Sequence, residues 1–348
     1  MRILVSVDSF KGSLSSLCAG HAIRAGILRA RGDWDVVVAP LADGGEGTTE
    51  ALVDGLGGEY YEVSTFGPLG DAITARYGGV RDAKLAIISA SSAAGLTLVT
   101  RRDPLHASTY GFGVMLREAI AHGFHRFILG LGGTATNDGG LGMLCALGYV
   151  ARDANGEPLE PNAVALESLA ELDDANVLPE LSQCHFRVAC DVDNPLCGER
   201  GASAVFGPQK GASVCDVERL DRALRRFAQV ARKVRPSANP EARGAGAAGG
   251  LGFALQTFLN ATLESGVQIV LEETKLEDKI AHADLVVTGE GRLDAQTLSG
   301  KAPYGVAQLA RKYNKPVVAL CGSVDDHIAR ELNASGIDAF FPSLRQLI

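Results

Sequence analysis

Short runs of β-branched and aliphatic residues, unbroken by polar alternation, recur along this chain and run straight into loops rich in glycine and charge. They fall at residues 2–7, 35–39, 84–89, 126–129, 186–190, 284–288 and 316–320. A strand apolar on both sides must be covered on both faces, which is the condition of a parallel strand between layers of helices. Helical patterns separate these runs, at 14–30, 48–56, 111–122, 217–234, 251–264 and 303–313, so the architecture is α/β. Residues 59–79 differ: Tyr60, Val63, Ile73 and Ala75 flank a Gly67-Pro68 turn and predict an antiparallel hairpin, the entry to a second domain. Residues 235–246, rich in Pro, Gly and small polar residues, predict an exposed loop. With 348 residues the chain is too long for one ordinary core. If its first and last strands share a sheet, residues 1–65 and 283–348 form one domain and 66–282 an inserted one.

Composition excludes several function classes. The formal charge of −8 argues against a nucleic acid or an anionic membrane as partner, so any anionic ligand must be held by local donors. No apolar segment approaches a membrane span, and Asp8 interrupts the first apolar run too early for a signal-peptide core. Seven cysteines without a CxxC pair fit reduced thiols in a cytoplasmic protein. The sequence leaves the oligomeric state open. Glycine, 42 residues in all, is the outlier, and it implies tight turns or close approach of backbone to a ligand.

The polar motifs follow the strands. Asp8-Ser9-Phe10-Lys11-Gly12 follows the first, and Asp43-Gly44-Gly45-Glu46 comes shortly after the second. Gly130 to Gly140 follows the run at 126–129, Asp191-Val192-Asp193-Asn194 that at 186–190, and Gly289-Glu290-Gly291-Arg292-Leu293-Asp294 that at 284–288. Ligands of open parallel sheets bind beyond the carboxyl ends of the strands, so these loops aim at shared ground or at facing sites across a cleft. Glycine loops present bare N–H groups suited to phosphate oxygens, and Lys11 and Lys301 add charge of the right sign. Carboxylates repel phosphate unless a divalent cation, Mg²⁺ for choice, bridges them or one acts as base toward a hydroxyl. The combination points to phosphoryl transfer.

Each motif also has a plainer reading. Residues 132–140 could be only a tight strand-to-helix connection, Asp8 and Asp43 helix caps, Asp191 and Asp193 turn formers, and Glu290 and Asp294 solvated loop charges. Lys301 is not a P-loop lysine, because Ala302 stands where Ser or Thr is required. Gly130-Leu131-Gly132-Gly133-Thr134-Ala135 formally fits a dinucleotide fingerprint, but Asp138 puts charge where a pyrophosphate would sit. An NAD-dependent dehydrogenase of a small hydroxy acid and a non-catalytic acid-binding protein are the rival classes.

DSFKGSLS (8–15), PLADGGEGT (40–48), GLGGTATNDGGLGML (130–144), CDVDNPLCG (190–198), FGPQKGA (206–212), GAGAAGGLGF (244–253) and GEGRLDAQTLSGKAPYGVA (289–307) together resemble the type I glycerate kinases of bacteria, over the whole chain. Members of that family continue past the segment at 336–343 into a further helical segment, whereas this chain ends at Ile348. The resemblance implies ATP-dependent, Mg²⁺-assisted phosphorylation of glycerate to 2-phosphoglycerate. It also implies a flavodoxin-like parallel sheet from both chain ends, an inserted α/β domain and an active-site cleft between them.

On that reading Asp191 is the base, and Lys11 and Lys301 stabilise the transferring phosphoryl group. Arg292 is the fork for the substrate carboxylate, with Asp294, Asp8 and Ser9 as further substrate contacts. Gly132, Gly133, Thr134, Thr136, Asn137, Gly249 and Gly250 wrap the nucleotide phosphates. Asp43, Asp193 and Glu290 are the candidates for the metal.

Overall fold

The computed structural model describes residues 1–42, 47–298 and 300–343. Eleven strands form its two main sheets. In chain order they are β1 (Arg2–Val5), β2 (Asp35–Val38), β3 (Glu59–Phe66), β4 (Ala72–Val80), β5 (Leu85–Ser89), β6 (Arg126–Gly130), β7 (His185–Ala189), β8 (Thr262–Glu264), β9 (Leu285–Thr288), β10 (Val317–Cys321) and β11 (Ala339–Pro342). The chain divides into two compact units, 1–58 with 265–348 and 59–264. The divisions lie at Gly58 and Glu264 rather than at 65 and 282, because β3 pairs along its whole length with β4, and the helices Gly266–Glu273 and Leu276–Ala281 belong with the chain ends.

The first unit carries the sheet β11-β10-β9-β1-β2, every neighbouring pair parallel. Numbered within the unit this is the order 2-1-3-4-5 of flavodoxin-like folds, and the order reverses between β1 and β9. That pair is joined in register from Ile3 with Leu285 to Val5 with Val287, so the two chain ends meet at the switch point. Ile3, Val5, Val7, Ala19, Val36 and Val287 form one buried cluster on this sheet. Helix α1 (Ser16–Ala30) starts on Ser15, whose side chain accepts from the Cys18 amide and satisfies one of the orphan donors of the first turn. The helix Ala302–Lys312 has Pro303 in its first turn and Arg311 and Lys312 in its last, both matched to the helix dipole.

The second unit carries the sheet β8-β7-β6-β5-β4-β3. β5 to β8 are parallel, and the β3–β4 hairpin adds an antiparallel edge, with Glu59 opposite Gly79 and Phe66 opposite Ala72. Phe112, Phe127, Leu129, Phe227 and Phe253 lie within its core. The helix expected over 251–264 stops at Leu259: left-handed backbone at Ala248, Gly249 and Gly250 precedes it, left-handed Asn260 ends it, and the chain re-enters the sheet as β8. The loop at 235–246 is irregular, but Ala238 and Ala245 are buried. Among the described residues no helix is long and apolar enough to cross a membrane.

Candidate active site

In the first unit the loops after β1 and β9 meet at the switch point. The Asp8 amide donates to the Gly289 carbonyl at 2.8 Å, and the buried Asp8 carboxylate accepts from the Ser9 amide at 2.6 Å. Asp8 is therefore no helix cap; Ser15 fills that role for α1. The chain then doubles back, with reciprocal bonds between Phe10 and Leu14 and with Gly12 at φ +77°, which leaves Lys11 exposed at the tip. Asp8, Ser9 and Lys11 line a pocket of about 330 Å³ whose far wall is the helix Thr48–Leu56, with Glu50 and Asp54. Burial, then the charge of Glu50, raises the Asp54 pKa. Lys11 thus stands in an otherwise acidic pocket, which suits a ligand bringing anionic oxygens together with hydroxyls or a cation.

On the other side of the switch point, Gly289 lies against β10: a Cβ there would stand 1.8 Å from the Leu320 carbonyl oxygen, so only glycine fits. The next residue, Glu290, is buried. One of its oxygens accepts from the Thr297 hydroxyl at 2.6 Å, and the other lies 3.7 Å from Lys301 Nζ. Lys301 is the residue from which the helix Ala302–Lys312 starts. Asp294, expected at the substrate, instead accepts from the Gln296 and Thr297 amides and opens the short helix Ala295–Leu298. Arg292 is exposed on a short strand paired with Ser323–Val324, and among the described residues its guanidinium makes no hydrogen bond or ion pair.

In the second unit the loop after β6 has an open outer half and a buried inner half. Gly132 and Gly133 are exposed, Gly132 with open space where a side chain would be and Gly133 at φ +73°. Bonds from the Leu96 amide to the Gly133 carbonyl and from the Ala135 amide to the Ala94 carbonyl pin the turn. Thr134, Thr136, Asn137 and Asp138 are then all buried. The Asn137 side-chain amide donates to the Ser203 hydroxyl at 2.9 Å, whereas Asn137 Oδ1 and Thr136 Oγ1 are buried with no hydrogen-bond partner among the described residues.

Asp138 was legible as a charge at a helix opening, but not in its role. It accepts from the Thr109 amide and hydroxyl and from the Gly140 and Gly142 amides, and so serves the starts of both Tyr110–Ala121 and Leu141–Ala146. Burial pushes its carboxyl up, and these four donors oppose the shift. Lys210 is the second residue that sequence reasoning left unassigned: it is 2% exposed, and its ammonium donates to Thr134 Oγ1 at 3.2 Å and the Thr136 carbonyl at 2.6 Å. Burial pushes its pKa down to about 7, with the charge of Asp138 pulling the other way. The only sequence signal was its place in FGPQKGA, among small residues rather than on a charged helix face.

Gly249 and Gly250 depart from expectation. Both are buried at positive φ, and a Cβ on Gly249 would lie 2.1 Å from the Thr136 carbonyl oxygen. On Gly250 it would lie 2.9 Å from Gly139 Cα, and the Gly139 amide donates to the Gly249 carbonyl. The close backbone approach that glycine permits is here to another loop of the protein. After β7, Asp191 and Asp193 are both exposed. Asp193 pairs with Arg200 at 3.2 Å, and the Asn194 side chain donates to the Arg200 carbonyl.

Asp43 lies outside the described residues, and the other two metal candidates belong to different units, Asp193 to 59–264 and Glu290 to the chain ends. Among the described residues no three His, Cys, Asp or Glu side chains cluster as metal ligands. Mg²⁺, which keeps several waters and is shared with substrate phosphates, is the divalent ion such a donor set fits.

A flavodoxin-like sheet with lysine and carboxylate loops at its switch point and a second α/β unit with an exposed glycine loop define a class of two-unit α/β proteins whose loops suit small anionic ligands. The glycerate kinase family model matches residues 3–348. Glycerate kinase from Haemophilus influenzae is 45% identical over 349 residues, covering 100% of this chain and 92% of that protein. Glycerate 2-kinase from Escherichia coli is 43% identical, covering 100% and 91%. The crystal structure of a putative glycerate kinase 2 from Salmonella typhimurium LT2 superposes with a TM-score of 0.91 at 46% identity, covering 98% of this chain and 90% of that one. The chain belongs to the glycerate kinase family.

Proposed function

We propose that this protein transfers the γ-phosphoryl group of ATP to the 2-hydroxyl of glycerate, giving 2-phosphoglycerate and ADP. The carrying observation is that the chain holds an exposed Gly132-Gly133 turn and Asp191 in one unit, and the loop lysines and carboxylates Lys11, Lys301, Asp8 and Glu290 in the other. The bare amides of the glycine turn receive donor phosphate oxygens. Arg292, with no ion-pair partner among the described residues, receives the glycerate carboxylate through two parallel hydrogen bonds. Asp191 takes the proton of the accepting hydroxyl as its oxygen bonds to phosphorus and the bond to the ADP oxygen breaks. Lys11 and Lys301 stabilise charge on the transferring group. Mg²⁺ on the donor phosphates, drawing on Asp43, Asp193 or Glu290 directly or through water, would neutralise part of their charge.

The dehydrogenase reading loses its support at Asp138. In a dinucleotide fold the helix after the glycine turn offers its N-terminus to the pyrophosphate. Here the amides of Gly140 and Gly142 are already bonded to the buried Asp138 carboxylate.

A coupled assay for ADP tests the proposal. ADP release is expected only with ATP, glycerate and Mg²⁺ all present, and chelation should abolish it without unfolding the protein. Phosphorus NMR should show the 2-phosphate as product. Oxidation of glycerate with a nicotinamide cofactor and no ADP would reject the reading.

Arg292→Lys should weaken glycerate more than ATP, because an ammonium cannot reproduce the guanidinium fork. The expected rise in KM for glycerate is about tenfold, a loss of ~1.4 kcal/mol. Equal changes for both substrates would assign Arg292 to the nucleotide or to structure.

A further inference from the structure

Lys210 is a fully buried cation that packing alone does not call for. Methionine would fill much the same volume, and taking an ammonium out of water costs folding free energy unless it is well paired. Its two acceptors, Thr134 Oγ1 and the Thr136 carbonyl, are neutral, and both belong to the loop whose outer turn is Gly132-Gly133. An ammonium has three donors, and these two bonds use two of them. The downward pull of burial on its pKa shows that the fold works against this charge. The charge therefore stands at some cost beneath a turn whose exposed face offers bare amides.

Gly132 lies two positions before Thr134, at most about 7 Å of chain. A fixed charge buried beneath the turn is screened less on the protein side than a solvated one and adds to the pull of the bare amides on a polyanion. The nearest compensating charge is Asp138, which is turned to its own four donors at the starts of two helices.

We infer that Lys210 is a positioning residue for the phosphate chain of the nucleotide: it bolts Thr134 and Thr136 in place and holds a positive charge behind the Gly132-Gly133 turn without touching the ligand. This rests on the reading of that turn as the phosphate site. It predicts a split between ligands, since the glycerate carboxylate is assigned to Arg292, in the other unit.

The test is direct binding of ATP and of inorganic tripolyphosphate, by calorimetry, to the wild type and to Lys210→Met, with glycerate KM and thermal unfolding measured alongside. For Lys210→Met we expect affinity for both polyphosphates to fall about tenfold and KM for glycerate to stay within twofold. Tm should stay within about 4 °C, because losing two hydrogen bonds is offset by no longer burying a charge. Thr134→Val, which removes one acceptor and keeps the shape, should weaken ATP about threefold, and it decides the matter if Lys210→Met does not fold. Unchanged polyphosphate binding in the folded variants, or equal losses for ATP and glycerate, would overturn the inference while leaving the kinase reading intact. A wild type that turns over ATP but binds no tripolyphosphate would equally overturn it. A wild type that binds neither ATP nor tripolyphosphate would overturn both.

Discussion

Asp191→Asn should lower kcat by ~10²–10⁴ and leave KM for ATP nearly unchanged. Asp191 is the second residue past β7, exposed, on the segment that leads into Asn194-Pro195. An amide has the shape of the carboxylate, so the backbone has no reason to move, but it cannot take a proton from the accepting hydroxyl. The loss therefore belongs to the chemical step and should appear equally in kcat and kcat/KM for glycerate. The circular dichroism spectrum and Tm should match the wild type. A variant with near-normal kcat would leave Asp191 as a turn former ahead of the proline.

The fold was legible where a periodic pattern settles the question. Runs such as Ile3-Leu4-Val5 and Val286-Val287 carry no polar face, and only a sheet covered on both sides accepts them. The hairpin showed itself through Gly67-Pro68 between two alternating segments. Boundaries fared worse, because they depend on tertiary pairing. Nothing in the largely apolar run from Leu251 through Leu259 announces that Asn260 will turn left-handed and send Thr262–Glu264 into a parallel ladder with β7. The short antiparallel pair Val150–Arg152 with Glu171–Asp173 is likewise too brief to carry a period.

The site was legible as chemistry and illegible as burial. A sequence shows that Lys210 and Asp138 are charged; their burial is decided by the loops that close over them, and a charged residue is by default read as solvated. The glycines illustrate the same limit. Gly132 and Gly249 look alike in sequence, yet one faces open space and the other meets the backbone of Thr136. Glu290 and Asp294 lie four residues apart and are both expected at ligands, one at the metal and one at the substrate, but Glu290 is buried against Thr297 near Lys301 while Asp294 caps a helix. Such divisions of labour follow from which partner each oxygen finds, and that is a property of the folded chain.

Lys301→Met should lower kcat by ~10²–10³, the usual cost of removing one charged donor from a developing anion. The Lys301 side chain is 26% exposed and the Glu290 side chain 9%, so the lysine reaches the surface while its partner stays inside. Gly300, at φ +106°, and Pro303, in the first turn of the following helix, fix the backbone from which the lysine extends. Removing the ammonium leaves the Glu290 carboxylate with Thr297 and one cation fewer, and some loss of stability, ~1–2 kcal/mol, should accompany the loss of rate. The two effects separate with temperature: kcat measured well below the Tm of the variant reports the chemistry alone. Lys301→Arg, which keeps the charge but not the reach, should fall between the variant and the wild type. KM for glycerate should hardly move, since the carboxylate is assigned to Arg292. If Lys301→Met keeps kcat within about threefold of the wild type under those conditions, the 3.7 Å approach to Glu290 is an ion pair that supports the loop and Lys301 has no part in phosphoryl transfer.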